Sequence, residues 1–224
     1  RASAYVTLTK PDVSFLVLMT TAAGYYMGAR GPVNWLNLLN TVFGTMLIAA
    51  WTAALNHYIE RDIDRHMRRT AARQLPSGVL QPREALAFGA VLAVGGAAYL
   101  WAAAGWLAAL LGVVTCLSYL LAYTPLKRKT IWATFIGAFP GAVPPMIGWV
   151  AATGRLDRGA WLLFAILFLW QFPHFHAISW MYREDYRRAG IRMLPVVDVE
   201  GKRTFREIVL YAAGLVAVSL LPAM

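Results

Sequence analysis

The stretch ALNHYIERDIDRHMRRTAARQLPSG, residues 54–78, begins where a mostly apolar segment, Leu38–Leu55, ends. It sets Asn56, Glu60 and Asp64 at intervals of four, then adds Asp62 and a run of arginines. An apolar segment of that length matches a hydrocarbon core of roughly 30 Å. Carboxylates beside a membrane are costly unless they are paired or used. These acids therefore need a partner, and finding one decides both fold and function.

Outward from this stretch, the same apolar signal recurs. Val13–Ala29, Leu38–Leu55, Leu86–Ala104, Trp106–Thr124, Ile131–Ala152, Ala160–Trp180 and Ile208–Ala223 each reach, or nearly reach, a spanning length. With 59% hydrophobic and 14% charged residues, a soluble domain is excluded. The expectation is an all-α, polytopic transmembrane bundle of seven helices, residues 1–224 forming one domain. Eighteen of the 21 Lys and Arg fall at one end of these helices, with only Arg30, Arg155 and Arg158 at the other. The rule that basic loops stay inside places the N-terminus and the acid-rich loops on the cytoplasmic side. The net charge of +10 is then topology charge and attraction to anionic lipid, not a nucleic-acid footprint. The lone Cys116 lies in an apolar segment, so there is no disulfide framework.

Taken as helix, residues 56, 60 and 64 form one stripe while Asp62 points elsewhere. Two neutralisers are open on spacing alone. Carboxylates with an amide carbonyl are hard oxygen ligands that suit Mg²⁺ bridged to phosphate; alternatively, the nearby arginines form an ion-pair lattice. The loop LAYTPLKRKT sets Tyr123 and Lys127 four apart with Arg128 adjacent. With Arg69 and Arg73 these could clamp a diphosphate. The fifth segment carries Pro140, Pro144 and Pro145, which predicts a break packed against protein. Its Gly137 and Gly141 suit close helix approach. A second acidic loop, WQFPHFHAISWMYREDYRRAG, sets His174 in register with Asp185 on an ideal helix, and His176 roughly opposite. A histidine in an apolar segment is a functional candidate, with haem ligation or interhelical packing as its roles. The two acid-and-arginine loops, 60–85 and 181–206, read as counterparts in a weak internal duplication.

The order Asn-x3-acid-x3-Asp, Tyr-x3-Lys and a second acidic loop resembles the UbiA-type intramembrane prenyltransferase superfamily. NHYIERDIDRHMRRTAARQLPSG, YTPLKRKTIWATFIGAFPGAVPPMIGW and WQFPHFHAISWMYREDYRRAGIRMLP look specifically like its protohaem IX farnesyltransferase family, over residues of about 10 to 200. The resemblance implies nine helices around a cavity open to the inside, two of them absent here. It implies transfer of farnesyl from farnesyl diphosphate to a vinyl group of haem B, with water added, giving haem O for haem-copper oxidases. It also implies partners such as haem A synthase or oxidase assembly proteins. The setting would be a bacterial plasma membrane, or the mitochondrial inner membrane in a eukaryote.

Carried over, Asn56, Glu60 and Asp64 would hold Mg²⁺–diphosphate, with Asp185 as a further metal candidate. Lys127, Arg69, Arg73 and Arg128 would grip phosphate, and Tyr123, His174, His176, Arg183 and Tyr186 would line the substrate site. Two departures stand out. Glu60 replaces an Asp, and Glu184–Asp185 replaces an Asp-x3-Asp pair. Competing readings are a quinone or chlorin prenyltransferase, a secondary transporter, or a scaffold with a basic face. Charge clustered at one mouth rather than at mid-depth disfavours transport.

Overall fold

The computed structural model describes residues 1–221, and helices are the only regular elements among them. A short α1 (Ala2–Leu8) leads into α2 (Pro11–Gly28) and then α3 (Trp35–Asp64). Next come α4 (Pro82–Ala104), α5 (Trp106–Ser118), a π-turn over Tyr119–Tyr123 and α6 (Thr124–Leu126). The second half holds α7 (Ala133–Ala142), α8 (Pro144–Thr153), α9 (Arg158–Met181), α10 (Arg183–Arg188), α11 (Leu194–Val197) and α12 (Lys202–Ser219).

Local chemistry sets the boundaries. Asn34 accepts the Asn37 amide at 3.0 Å to open α3, and Asp157 accepts the Gly159 amide at 3.1 Å to open α9. Gln81 and Glu84 form a capping box ahead of α4. Asp198 takes both the amide and the hydroxyl of Thr204, at 2.7 and 2.8 Å, and so fixes the start of α12. Pro125 has no N–H to continue the ladder, and the preceding turn widens to a π-turn. The expected break in the fifth segment falls at Val143, between α7 and α8. Gln171 of α9 donates to the Ala138 carbonyl at 2.9 Å beside it.

Five units are long and apolar enough to cross a membrane: α3, α4, α5 through α6, α7 with α8, and α9. The other two expected spans form helices of 18 residues that fall short of that measure. Polar residues near their N-terminal ends are the reason, Pro11 and Asp12 in α2, and Lys202, Arg203, Arg206 and Glu207 in α12. The last residues of the expected seventh span lie outside the described residues.

The core sits where α3, α4, α5 and α8 meet, around Ile48, Trp51, Leu100, Cys116, Ile147 and Val150. α2 packs so closely on α8 that a Cβ on Gly24 would overlap the Pro145 carbonyl, and one on Gly148 the Thr21 carbonyl. Small residues permit that approach in a bundle where lipid gives helices no hydrophobic drive to associate. Gly137 and Gly141 serve the same end, one receiving the Tyr123 ring and the other the Gln171 amide.

Candidate functional site

Helix α3 carries the acid stripe at its C-terminal end, and all three members are buried: Asn56 1% exposed, Glu60 4%, Asp64 0%. Asp62 is exposed and meets Arg61 and Arg65 at the surface, as the helical spacing requires. Burial at this depth demands neutralisation. Each stripe residue is closed by a cation from a different segment. Arg73, in the loop after α3, donates from one guanidinium nitrogen to both oxygens of Asp64 at 3.0 and 2.8 Å. Lys127, at the end of α6, forms an ion pair with Glu60. Lys10, the αL residue opening α2, donates to Asn56 Oδ1 at 2.9 Å. Thr70 secures the loop by donating to the Asp64 carbonyl at 2.9 Å.

Lys10 was not singled out as a site residue by its sequence context, a lysine between helices ahead of a proline. Its signal is structural: it is the non-glycine residue with positive φ, 50°, among the described residues. Burial, then repulsion from Arg73 and Lys127, outweighs attraction to Glu60 and Asp64 and pushes its amine down to about 7. His57 was missed too; it is buried beside Lys10 and Arg73, with neither ring nitrogen partnered.

Aromatic walls adjoin the stripe. Lys127 lies 5.5 Å from the Tyr123 ring, and Tyr123 packs on Tyr119 at 5.0 Å. Those two tyrosines line a small cleft with Thr134, Gly137, Phe175 and Met193.

The second acidic loop folds onto the first. Asp185, 9% exposed, is paired with Arg188 and accepts the Arg69 amide at 3.4 Å. Burial raises its carboxyl, but the Arg69 amide and the Arg188 guanidinium outweigh that and hold it below the usual range. Met67 of the first loop packs with Ala189, Ile191, Met193 and Tyr186 of the second. Arg69 spreads over the Tyr182 ring at 5.2 Å. Arg183 lies over Trp180 at 4.4 Å, and Arg128 is exposed.

The histidines do not follow ideal register. α9 ends at Met181 and Tyr182 is non-helical, so the face shared by His174 and Asp185 is interrupted. His174 is half-buried and stacks on Trp170 at 4.4 Å. His176 is 1% exposed and lines a cavity of about 410 Å³ between α7, α9 and α12. Its Nε2 meets Glu207 Oε2 at 3.1 Å.

Among the described residues no three His, Cys, Asp or Glu side chains converge as a ready metal cage. The stripe nonetheless offers a hard cation oxygen ligands: two carboxylates and an amide oxygen lie on one face. The remaining ligands would have to come from a bound anion or water.

Comparisons with known proteins give the family and the fold. The UbiA prenyltransferase family model matches residues 17–224. The chain is 53% identical to the protoheme IX farnesyltransferase of Solibacter usitatus, covering 98% of this chain and 78% of that protein. It is 48% identical to that of Koribacter versatilis, covering 97% and 71%. Among solved structures, a digeranylgeranylglyceryl phosphate synthase superposes with a TM-score of 0.80 at 21% identity, covering 99% of this chain and 77% of that one. A UbiA homolog from Archaeoglobus fulgidus bound to DMAPP and Mg²⁺ gives 0.76 at 17% identity, over 96% and 75%. The chain belongs to the UbiA prenyltransferase family.

Proposed function

We propose that this protein transfers the farnesyl group of farnesyl diphosphate to a vinyl group of haem B, with addition of water, giving haem O. The observation that carries the reading is the buried stripe Asn56, Glu60 and Asp64, each closed by a cation from a separate segment. Relatives at 53% and 48% identity that bear the name protoheme IX farnesyltransferase support the choice of acceptor.

Asn56, Glu60 and Asp64 would hold Mg²⁺ against the diphosphate. When bound, that ion neutralises the leaving anion. Lys10, Arg73 and Lys127 would then turn from the acids to the phosphate oxygens, where charge develops as the C–O bond breaks. An anion bound there would favour the charged form of Lys10, which burial disfavours. Tyr119 and Tyr123 offer π faces to the allylic cation, and apolar walls keep water from it. Arg69 and Arg128 stand at the outer rim, and Arg183 and Tyr186 on the second loop; they are proposed as later contacts of an incoming substrate. Asp185, already held by Arg188 and the Arg69 amide, is proposed to order the two loops and to be at most an outer partner of a metal. The concentration of basic residues at this end supports placing it on the cytoplasmic face of a bacterial plasma membrane.

The test is incubation of the purified protein with haem B, farnesyl diphosphate and Mg²⁺. The expected product is a porphyrin heavier by one farnesyl group and one water. A product formed only with a quinone or chlorin acceptor would move the enzyme to that substrate class. Ion flux in proteoliposomes without prenyl transfer would remove the enzyme reading.

A further inference from the structure

Farnesylation of a vinyl group with hydration has two bond-forming steps. Loss of diphosphate leaves C1 of the farnesyl chain as an allylic cation. The vinyl π pair forms the C–C bond at its terminal carbon, which moves the positive charge to the carbon next to the porphyrin ring. A water oxygen bonds there, and one water proton must then leave. The diphosphate machinery on α3 supplies charge stabilisation for the first step and no assigned acceptor for that proton.

A candidate acceptor lies outside that machinery. The cavity between α7, α9 and α12, about 410 Å³, falls in the range of small-molecule sites. Its walls are Trp132, Phe135, Phe172 and Tyr211, flat rings suited to a flat conjugated ligand. Phe172 and Tyr211 are already stacked, 3.6 Å apart and 3° from parallel. Two buried polar atoms on this lining have no partner, His176 Nδ1 and Thr134 Oγ1. Orphan buried groups beside open space are where a water molecule is held. Thr134 also lines the cleft of Tyr119 and Tyr123, so the histidine cavity and the prenyl side share one wall residue.

His176 is also oriented. Glu207 Oε2 sits 3.1 Å from its Nε2, and Arg203 Nε donates to Glu207 Oε1 at 2.9 Å. A carboxylate on one ring nitrogen fixes the tautomer with hydrogen there, so Nε2–H donates to Glu207 and Nδ1 keeps its lone pair. The same carboxylate stabilises the imidazolium once Nδ1 takes a proton. His174, stacked on Trp170, is not on this lining.

We infer that His176 is the general base of the hydration step, accepting the water proton at Nδ1 while the vinyl-bearing edge of the porphyrin occupies this cavity. Glu207, steadied by Arg203, is its positioning residue. This rests on the prenyl-transfer reading above.

The experiment compares wild type, His176→Gln and Glu207→Gln, each full-chain protein in lipid nanodiscs, in single turnovers with haem B, farnesyl diphosphate and Mg²⁺. Diphosphate release and the mass of the porphyrin product are followed separately. In His176→Gln, release continues while hydroxylated product falls about 10²-fold or more, the scale of a positioned base. The stranded cation then sheds a proton from the new CH₂ to diphosphate, giving an alkenyl porphyrin lighter by one water. Glu207→Gln shifts the product ratio the same way to a smaller extent. Added imidazole restores the hydroxylated product in His176→Ala. Hydroxylated product at the wild-type rate in both Gln variants overturns the assignment. So does a parallel loss of release and product with no lighter porphyrin, which marks a packing role. If His176→Gln does not purify as a monodisperse protein, Glu207→Gln decides alone by the same ratio. Wild type that releases diphosphate but makes no farnesylated haem removes the parent reading, and this one with it.

Discussion

The two acidic loops have similar compositions and opposite fates. In the first, Glu60 and Asp64 stay on the helix, sink to 4% and 0% exposure, and draw Lys127 and Arg73 from two separate segments. In the second, Glu184 is exposed and pairs with its own neighbour Arg187 at 2.6 Å, while Asp185 is tied to Arg188 three residues on. The difference is one of reach. A carboxylate satisfied by its own helical turn and by a backbone amide of the other loop holds the two loops together. A carboxylate that recruits Lys and Arg from elsewhere builds a polar centre that a ligand can reorganise. We therefore propose that the first loop serves the chemistry, and the second the framework that shapes it.

The sharpest way to break this contrast is Asp64→Asn against Asp185→Asn. Turnover of haem B and farnesyl diphosphate should fall by about 10²–10³-fold or more for Asp64→Asn, as when a charge-stabilising group leaves an active site. Its haem-loaded Soret spectrum should be unchanged, and a chelator should abolish wild-type turnover until Mg²⁺ returns. Near-normal turnover in Asp64→Asn would remove the metal assignment from the stripe.

Lys127→Ala comes next. It removes a charge-assisted contact of about 1.5–3 kcal/mol, so the KM for farnesyl diphosphate should rise by at least about tenfold. The KM for haem should stay near wild type. Equal changes in both would make Lys127 a structural counter-ion of Glu60 and nothing more.

Asp185→Asn should act on stability more than on turnover, by about 1–3 kcal/mol in denaturant or thermal unfolding. The pH dependence has a definite sign. The folded-state carboxyl is held below its ordinary 3.8, so its contribution is complete above that value and disappears as pH falls through the lower folded-state value. The gap between wild type and Asp185→Asn should therefore be constant near neutrality and close only under acid conditions. A gap that widens in acid would contradict the hydrogen bonding assigned to Asp185.

Glu184→Gln should be the mildest change. Its ion pairs are with Arg183 and Arg187 at the surface, and exposed pairs contribute little, about 0.5 kcal/mol here. A large loss of turnover in this variant would erase the distinction between the loops.

Much of this was legible in the chain. Apolar segments of spanning length announced the helices, since every backbone polar group in lipid must be satisfied internally. Intervals of four placed Asn56, Glu60 and Asp64 on one face and Asp62 off it, because the α-helix repeats on that spacing. Prolines 140, 144 and 145 marked the break now seen at Val143. The resemblance to prenyltransferases rested on contiguous motifs, which survive without any knowledge of the fold.

Other features were beyond local patterns. Which cation closes which acid depends on segments 9, 46 and 67 residues apart, for Arg73 with Asp64, Lys10 with Asn56 and Lys127 with Glu60. Lys10 reads as loop charge until α2 is packed beside α3. The register of His174 with Asp185 failed because the helix stops at Met181, a boundary that periodicity does not encode. The pairing of His176 with Glu207 joins α9 to α12 across a cavity. By itself the sequence determined what is repeated along one helix: span, face, break and motif. Only the tertiary structure decided partners and cavities, because burial and charge pairing are set by the distance between helices, and that distance is a property of the packed bundle.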